Sequence, residues 1–287
     1  MSLPPLPAGA VELLGCPVCG APLSAAPDGG RLHCPAGHSF DRARQGHVTL
    51  LPPGHRAPLG DSAEMVADRV AFLAAGYYAG LTAALAAAVA DGDDGPPRTV
   101  LDLGGGTGHH LAGVLDAQPD AVGVVLDASR YAARRAARAH PRAMAVVADA
   151  WARLPVRNAV ADRVLGVFAP RNGAETARVL RPAGRLVVAT PAKDHLAELV
   201  GPLGLLRVDP DKAARLAASL EPHLRQVAAS VCRERLLLDR AAVVTLVGMG
   251  PHARHLDAAT VRERVDALPE PVAVTLAVDV TVHVPER

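Results

Sequence analysis

Two groups of residues in this 287-residue sequence have types and spacings that do chemistry. The first is Cys16-x-x-Cys19 followed by Cys34-x-x-x-His38. Two such knuckles supply four soft or borderline ligands that close into a tetrahedron, which suits a structural Zn²⁺, one per chain, and leaves no open position for catalysis. His33, beside Cys34, offers a second imidazole, but the knuckle spacing favours His38. Unpaired buried thiols are the bland alternative. A segment this small buries too little surface to fold without a staple, so zinc binding and folding are expected to be coupled.

The second group is Asp102-x-Gly104-x-Gly106-x-Gly108, with Thr107 inside the loop, Asp127 some twenty residues on and Asp149 beyond it. An apolar run, Val100 to Leu103, predicts a buried strand that delivers the chain to a turn where side chains would collide with a ligand. Asp127 ends the next predicted strand, placed to accept hydrogen bonds from both hydroxyls of a ribose. A dinucleotide fingerprint, G-x-G-x-x-G, would need glycine at position 109, where His stands. The observed spacing, with an acid two residues ahead of it, is the one class I methyltransferases share, and it accommodates an amino-acid-bearing sulfonium instead of a pyrophosphate. It therefore predicts S-adenosylmethionine as cofactor, with a nucleotide-binding oxidoreductase as the alternative. Asp149 alone would read as a helix cap or solvated turn. In register with Asp102 and Asp127 it reads as the acid that meets the adenine amino group.

These residues need a frame, and the periodicity supplies one. Strands are predicted at Thr99–Leu103, Ala121–Leu126, Ala143–Val147, Ala161–Val167 and Gly184–Thr190, alternating with helices at Gly108–Ala117, Ser129–Ala139, Ala174–Val179 and Asp194–Leu199. Arg225–Leu238 and Pro271–Val284 read as two longer strands with helices near 240–249 and 257–267 between them. The expected fold is α/β: a class I, Rossmann-like methyltransferase with a seven-stranded, mostly parallel sheet, plus a small N-terminal zinc-binding module. The expected boundaries are 1–56 for that module, 57–97 for a helical linker and 98–287 for the methyltransferase domain. Within the linker, Asp61-Ser62-Ala63-Glu64 reads as a capping box with Asp61 at the N-cap. Helices should run to about Phe72 and from Tyr78 to Ala90, and Asp91–Pro97 should form a loop. The Pro-rich residues 1–12 are expected to fray.

Composition narrows the class further. Half the residues are hydrophobic, so a sizeable core is expected, and a net charge of +1 advertises no global affinity for nucleic acid. No apolar run approaches the roughly 20 residues that cross a bilayer, and no secretory signal is evident. A cytoplasmic protein without membrane contact is expected. In such a reducing compartment clustered cysteines favour metal over disulfides, and the distant Cys232 is expected to be a small buried hydrophobe.

With these motifs in view the chain resembles the RlmA/TlrB-type 23S rRNA (guanine-N1)-methyltransferases. The likeness is carried by Cys16-Pro17-Val18-Cys19, Cys34, His38, Phe40-Asp41, Gly46 and Leu50-Leu51, then by Asp61-Ser62-Ala63-Glu64-Met65 and Ala75-Gly76-Tyr77-Tyr78. It continues through the glycine loop, Phe168-Ala169-Pro170-Arg171-Asn172, Thr190-Pro191 and His195-Leu196. The string Phe168–Glu175 is most similar to the macrolide-resistance branch. The resemblance implies Tyr78 and His195 as cofactor contacts and 23S rRNA as partner, at a domain II hairpin guanine (roughly position 748) whose methylation protects against tylosin-type macrolides. It also implies a homodimer whose zinc modules frame an RNA cleft.

Guanine N1 carries a hydrogen that must leave, and negative charge then accumulates toward O6, so a base and a donor are needed. Arg171 and Asn172, after the fourth strand of the sheet, are the candidate donors; Asp149 or a water is the candidate proton acceptor. Arg31, Arg42 and Arg44 make the zinc module the better RNA reader. The run Arg130, Arg134, Arg135, Arg138 and Arg142 reads first as a solvated face. Two other readings stay open: a small-molecule methyltransferase with a structural zinc module, and a non-catalytic RNA- or cofactor-binding protein.

Overall fold

Every residue of Thr99–Leu103 is buried, yet neighbours along that strand enter different cores. Val100 belongs to one hydrophobic cluster and Leu101 and Leu103 to another. A strand clad on both faces loses visible alternation but keeps its period of two. The computed structural model describes residues 5–7, 9–55, 59–92, 95–205 and 212–286, and this two-faced sheet organises all of them.

In chain order the elements begin with four short strands, β1 (Ser24–Ala25), β2 (Arg31–His33), β3 (Ser39–Asp41) and β4 (Val48–Thr49), and two helices, α1 (Ala63–Ala74) and α2 (Ala79–Ala90). Alternation follows: β5 (Thr99–Leu103), α3 (His109–Ala117), β6 (Val122–Asp127), α4 (Arg130–Ala136), β7 (Ala143–Val147), β8 (Ala161–Val167), α5 (Gly173–Val179) and β9 (Leu180–Pro191). The chain ends with α6 (Ala197–Leu203), α7 (Lys212–Leu220), β10 (Leu224–Leu238), α8 (Arg240–Gly248), α9 (Ala258–Asp266) and β11 (Val272–Pro285). The expected elements are present, with ends shifted by a few residues; α7 was not anticipated.

The main sheet runs β10-β11-β9-β8-β5-β6-β7-β4 and therefore has eight strands rather than seven. The extra strand is β4, which pairs parallel to β7 through Val48↔Val146 and Thr49↔Val147. Two residues are too short for any periodic signal, and the unpaired edge of β7 is what recruits them. The antiparallel β10–β11 pair closes the other end.

One face of the sheet packs against the α1, α2, α3, α8 and α9 side through Phe72, Leu81, Leu111, Leu246 and Val265. The other face packs against the N-terminal segment itself: Leu13, Leu14, Cys16, Leu23, Leu32, Cys34 and Leu50 share a cluster with Leu101, Val124 and Met144. The metal-ligand segment is thus cemented to the back of the sheet.

Local details depart from expectation where distant groups intervene. Ser62, not Asp61, caps α1, accepting from the Met65 N–H at 3.3 Å while Glu64 accepts from its hydroxyl. Asp61 is drawn away by Arg69, 2.5 Å from its carboxylate. Arg142 does not join a solvated face: its guanidinium donates to the carbonyls of Leu115, Gln118 and Ala121 at the end of α3. Cys232 is partly buried against the core, as a small hydrophobe should be. Of the expected loop Asp91–Pro97, residues 93 and 94 lie outside the described residues, as do residues 1–4 and 8 of the Pro-rich start and the 56/57 boundary.

Candidate functional site

The carboxyl ends of β5 to β9 open into a cavity of about 1100 Å³. That is more than the roughly 300–1,000 Å³ typical of a single small-molecule pocket. Its floor is the loop from Gly104 to Thr107; Gly104 and Gly106 hold φ of +66° and +57°, and Gly108, which does not line the cavity but precedes α3 against Ala136 and Val125, holds +75°. L residues rarely adopt this backbone, and space is short as well. A Cβ on Gly104 would stand 2.8 Å from Ala169 Cβ, and one on Gly105 only 2.3 Å from Asp102 Oδ2.

Asp102 is buried beneath this loop, and its Oδ1 has no protein partner. Burial, then the neighbouring Asp127, pushes its carboxyl up to about 7. An unpaired buried acceptor costs about 1–3 kcal/mol. A cationic, amino-acid-bearing ligand over the glycines would relieve that cost, so the donor set fits S-adenosylmethionine. Asp127 accepts the Gly106 N–H at 2.9 Å on one oxygen and the Ser129 N–H at 2.7 Å on the other. These bonds aim the carboxylate, and each oxygen keeps a lone pair for a hydroxyl. Burial raises its pKa, while the two amides oppose that.

The other expected cofactor residues converge on the same cavity. Thr107 is buried and lines it. Asp149 accepts the Trp151 N–H at 2.9 Å and is bonded to His55 Nε2, also at 2.9 Å. Tyr78 precedes α2 and stands edge-on to Phe72 at 5.2 Å, its phenol pushed up by burial. His195 takes the Ala277 N–H on Nδ1 at 3.3 Å, which leaves Nε2 as the protonated nitrogen of its neutral ring.

The two candidate donors part company. Arg171 lines the cavity, and its buried Nε has no partner. Burial lowers its pKa. Asn172 does not line the cavity; it caps α5, accepting from the Glu175 N–H at 3.2 Å, and its amide donates to the Trp151 carbonyl at 3.1 Å.

Several lining residues lie outside the expected site set. Arg69 crosses the cavity wall, donating to the Met249 carbonyl at 2.8 Å, and Asp61 sits between Arg69 and Arg254. Ser129 donates to the Asp61 carbonyl at 2.7 Å, clamping the segment before α1 against the turn between β6 and α4. Trp151 and Phe168 are exposed aromatics on the wall, noticeable in a chain with one Trp and three Phe.

On the back of the sheet, the ligand atoms of Cys16, Cys19, Cys34 and His38 lie within 4.8 Å of one another. Cys16 Sγ is 3.6 Å and Cys34 Sγ 3.3 Å from His38 Nδ1, and Cys19 Sγ is 3.7 Å from Cys34 Sγ. A tetrahedral zinc site with Zn–S near 2.3 Å has edges of about 3.8 Å, so these four residues are positioned to bind one metal ion. His33 is exposed and outside the cluster, which resolves the choice between the two imidazoles.

A doubly clad sheet in this strand order, a glycine cradle and three aligned acids together define a class I S-adenosylmethionine-dependent methyltransferase. Solved structures agree at the level of the fold. The methyltransferase in a complex with the Haloferax volcanii Trm112 methyltransferase activator covers 80% of this chain and all of its own, with TM-score 0.52 and 21% identity. The RlmA N-terminal zinc ribbon matches residues 14–57. A 23S rRNA (guanine-N1)-methyltransferase of Micromonospora griseorubida is 56% identical, covering 92% of this chain and 95% of its own. The 23S rRNA (guanine(748)-N1)-methyltransferase of Streptomyces fradiae is 49% identical, covering 95% and 96%. The chain belongs to the RlmA/TlrB family of 23S rRNA (guanine-N1)-methyltransferases.

Proposed function

We propose that this protein methylates N1 of a guanine in a domain II hairpin of 23S rRNA, at position 748 as the name of the Streptomyces fradiae relative states for that enzyme. The 49% identity to that relative over nearly the full length of both chains carries the reading. On this reading the cell is protected against tylosin-type macrolides, the reaction is cytoplasmic, and the enzyme works as a homodimer. Residues 1–56 form the RNA-recognition module, 57–97 the helical linker and 98–287 the methyltransferase domain.

When bound, S-adenosylmethionine supplies an activated methyl group, so the chain's tasks are positioning and handling one proton. Gly104, Gly106, Thr107 and Gly108 cradle the amino-acid end above Asp102, Asp127 takes the ribose and Asp149 the adenine. Tyr78 and His195 flank the cofactor. This assignment runs from β5 toward β7, with His195 after β9 on the other flank, and leaves the wall after β8 for the acceptor base. There the Arg171 guanidinium lines the wall, its Nε buried, and would donate from its terminal nitrogens to guanine O6, holding the charge that builds as N1 loses its proton. Asn172 holds the Trp151 turn against the loop that carries Arg171. Asp149 lies at the end of β7, with β5 and β6 between it and β8, so the proton goes to water rather than to this acid.

Primer extension on rRNA from cells with and without the gene tests the reading, because N1-methylguanine blocks base pairing and stops the polymerase. A gene-dependent stop at the domain II hairpin is expected, with tylosin tolerance rising in parallel. No stop there overturns it.

A further inference from the structure

Guanine N1 sits in the middle of the Watson–Crick edge, so the target base must be unpaired and drawn out of its stack before a methyl group can reach it. The protein then has to replace the lost stacking with a flat apolar surface beside Arg171. Of the two exposed aromatics on the cavity wall, Trp151 follows β7 on the adenine side, and Phe168 is the one that follows β8. Phe168 follows β8, lines the acceptor side of the cavity and is 42% exposed. Its ring centroid lies 6.5 Å from that of Tyr78 and 6.0 Å from that of His195, and it precedes Arg171 by three residues.

The backbone points the same way. Phe168 has φ of +54°, a left-handed conformation that a bulky L residue adopts only when its surroundings over-determine it. Among the described residues only Ala159, Phe168 and Leu196 are non-glycine residues with positive φ, and two of these three line this cavity. The conformation is held from both sides: the Phe168 N–H donates to the Ala189 carbonyl at 3.0 Å, and Ala169 and Pro170 fill the space that a Cβ at Gly104 would need. The strained backbone leaves this ring partly packed against Tyr78 and His195 and partly open to the cavity.

We propose that Phe168 is the stacking platform for the extruded guanine, a positioning residue that holds the base face-on while Arg171 engages O6. This rests on the rRNA reading above and adds to it the residue that grips the base. Tyr78, nearly buried, walls the cofactor side of Phe168 and keeps the ring from collapsing inward.

The test is steady-state methylation of a domain II hairpin transcript by the full-length protein and by Phe168→Ala, Phe168→Leu and Phe168→Tyr. S-adenosylhomocysteine affinity and thermal melting are measured in parallel. Base–aromatic stacking predicts a loss of about 5–150-fold in kcat/KM for Phe168→Ala and a comparable loss for Phe168→Leu, which keeps bulk but no π-face. Phe168→Tyr should recover most of that loss, and S-adenosylhomocysteine affinity should stay within about 2-fold throughout. A hairpin abasic at the target position should bind wild type more weakly than the intact hairpin but bind Phe168→Ala about as well as the intact one. Wild-type kinetics for Phe168→Ala, or leucine serving as well as tyrosine, overturns the stacking proposal alone. A fall in S-adenosylhomocysteine affinity equal to the fall in kcat/KM assigns Phe168 to the cofactor instead. No methylation of the hairpin by the wild-type protein overturns the substrate reading, and the stacking proposal with it.

Discussion

His55 Nε2 lies 2.9 Å from Asp149 Oδ2, joining the chain just beyond the zinc segment to the acid at the end of β7. The Trp151 N–H holds the other oxygen of the same carboxylate. Asp149 is therefore oriented before any ligand arrives, and one of its two anchors belongs to the N-terminal segment.

Breaking that bond from either side should have unequal effects. On the proposed assignment Asp149→Ala removes the adenine acceptor, and S-adenosylhomocysteine binding is expected to weaken about tenfold or more, in line with the loss of a charge-assisted hydrogen bond. His55→Ala leaves the acid on its Trp151 anchor and should cost about 3-fold or less, while amide exchange quickens around residues 50–55. Calorimetry and hydrogen exchange distinguish the two; equal losses of affinity would contradict this division.

The metal centre shares a core with the sheet through Cys16, Leu23, Leu32 and Cys34, and β4 extends that sheet. Stripping the metal should therefore destabilise the whole protein in one transition rather than release an independent module. Elemental analysis should find one zinc per chain. Cys19→Ser should lose it and melt at lower temperature as a single transition. A separate low-temperature transition with the main one unmoved would show that the module folds alone.

Asp102 sets a pH dependence with a definite sign. Its carboxyl is raised to about 7 from an ordinary 3.8, so between these values the folded protein holds a proton that the unfolded chain has released. This contribution to stability is full below about pH 4 and is lost as pH rises through about 7. Asp102→Asn should flatten the decline of ligand-free melting temperature between pH 5 and pH 8. A cationic ligand favours the ionised acid, so S-adenosylmethionine binding near pH 7 should release protons from wild type and fewer from the variant. Calorimetry in buffers of different ionisation enthalpy measures both.

Arg171→Ala should lower kcat about 10²–10³-fold, the range for removing one donor to a developing oxyanion, with S-adenosylhomocysteine affinity preserved. Arg171→Lys should rescue little, because a point charge on a flexible stem does not reproduce the guanidinium N–H. Turnover near wild type with hairpin binding intact would remove Arg171 from the chemistry.

The glycine cradle and the metal ligands were legible in the sequence for one physical reason. A left-handed backbone at Gly104, Gly106 and Gly108, or a chelate built from Cys16-x-x-Cys19, is decided by the residues at those positions and their immediate neighbours. The same holds for Asp127, which the β6 strand carries to the Gly106 N–H. Asn172 shows where local reading ends: an amide that could have pointed to a substrate is used by α5 as its cap, and residue type alone does not say which. Asp61 reads as a cap and is instead held by Arg69 and Arg254.

By itself, then, the sequence determined the cofactor cradle, the ligand set of the metal and the class of fold, all set by short-range sterics and strand–helix periodicity. The tertiary structure alone decided what closes around the cavity. Arg69 meets Met249, His55 meets Asp149 and β4 meets β7 across separations that leave no periodic trace. The strain at Phe168 is of the same kind: packing of distant strands imposes it, and nothing in the local residue types requires it.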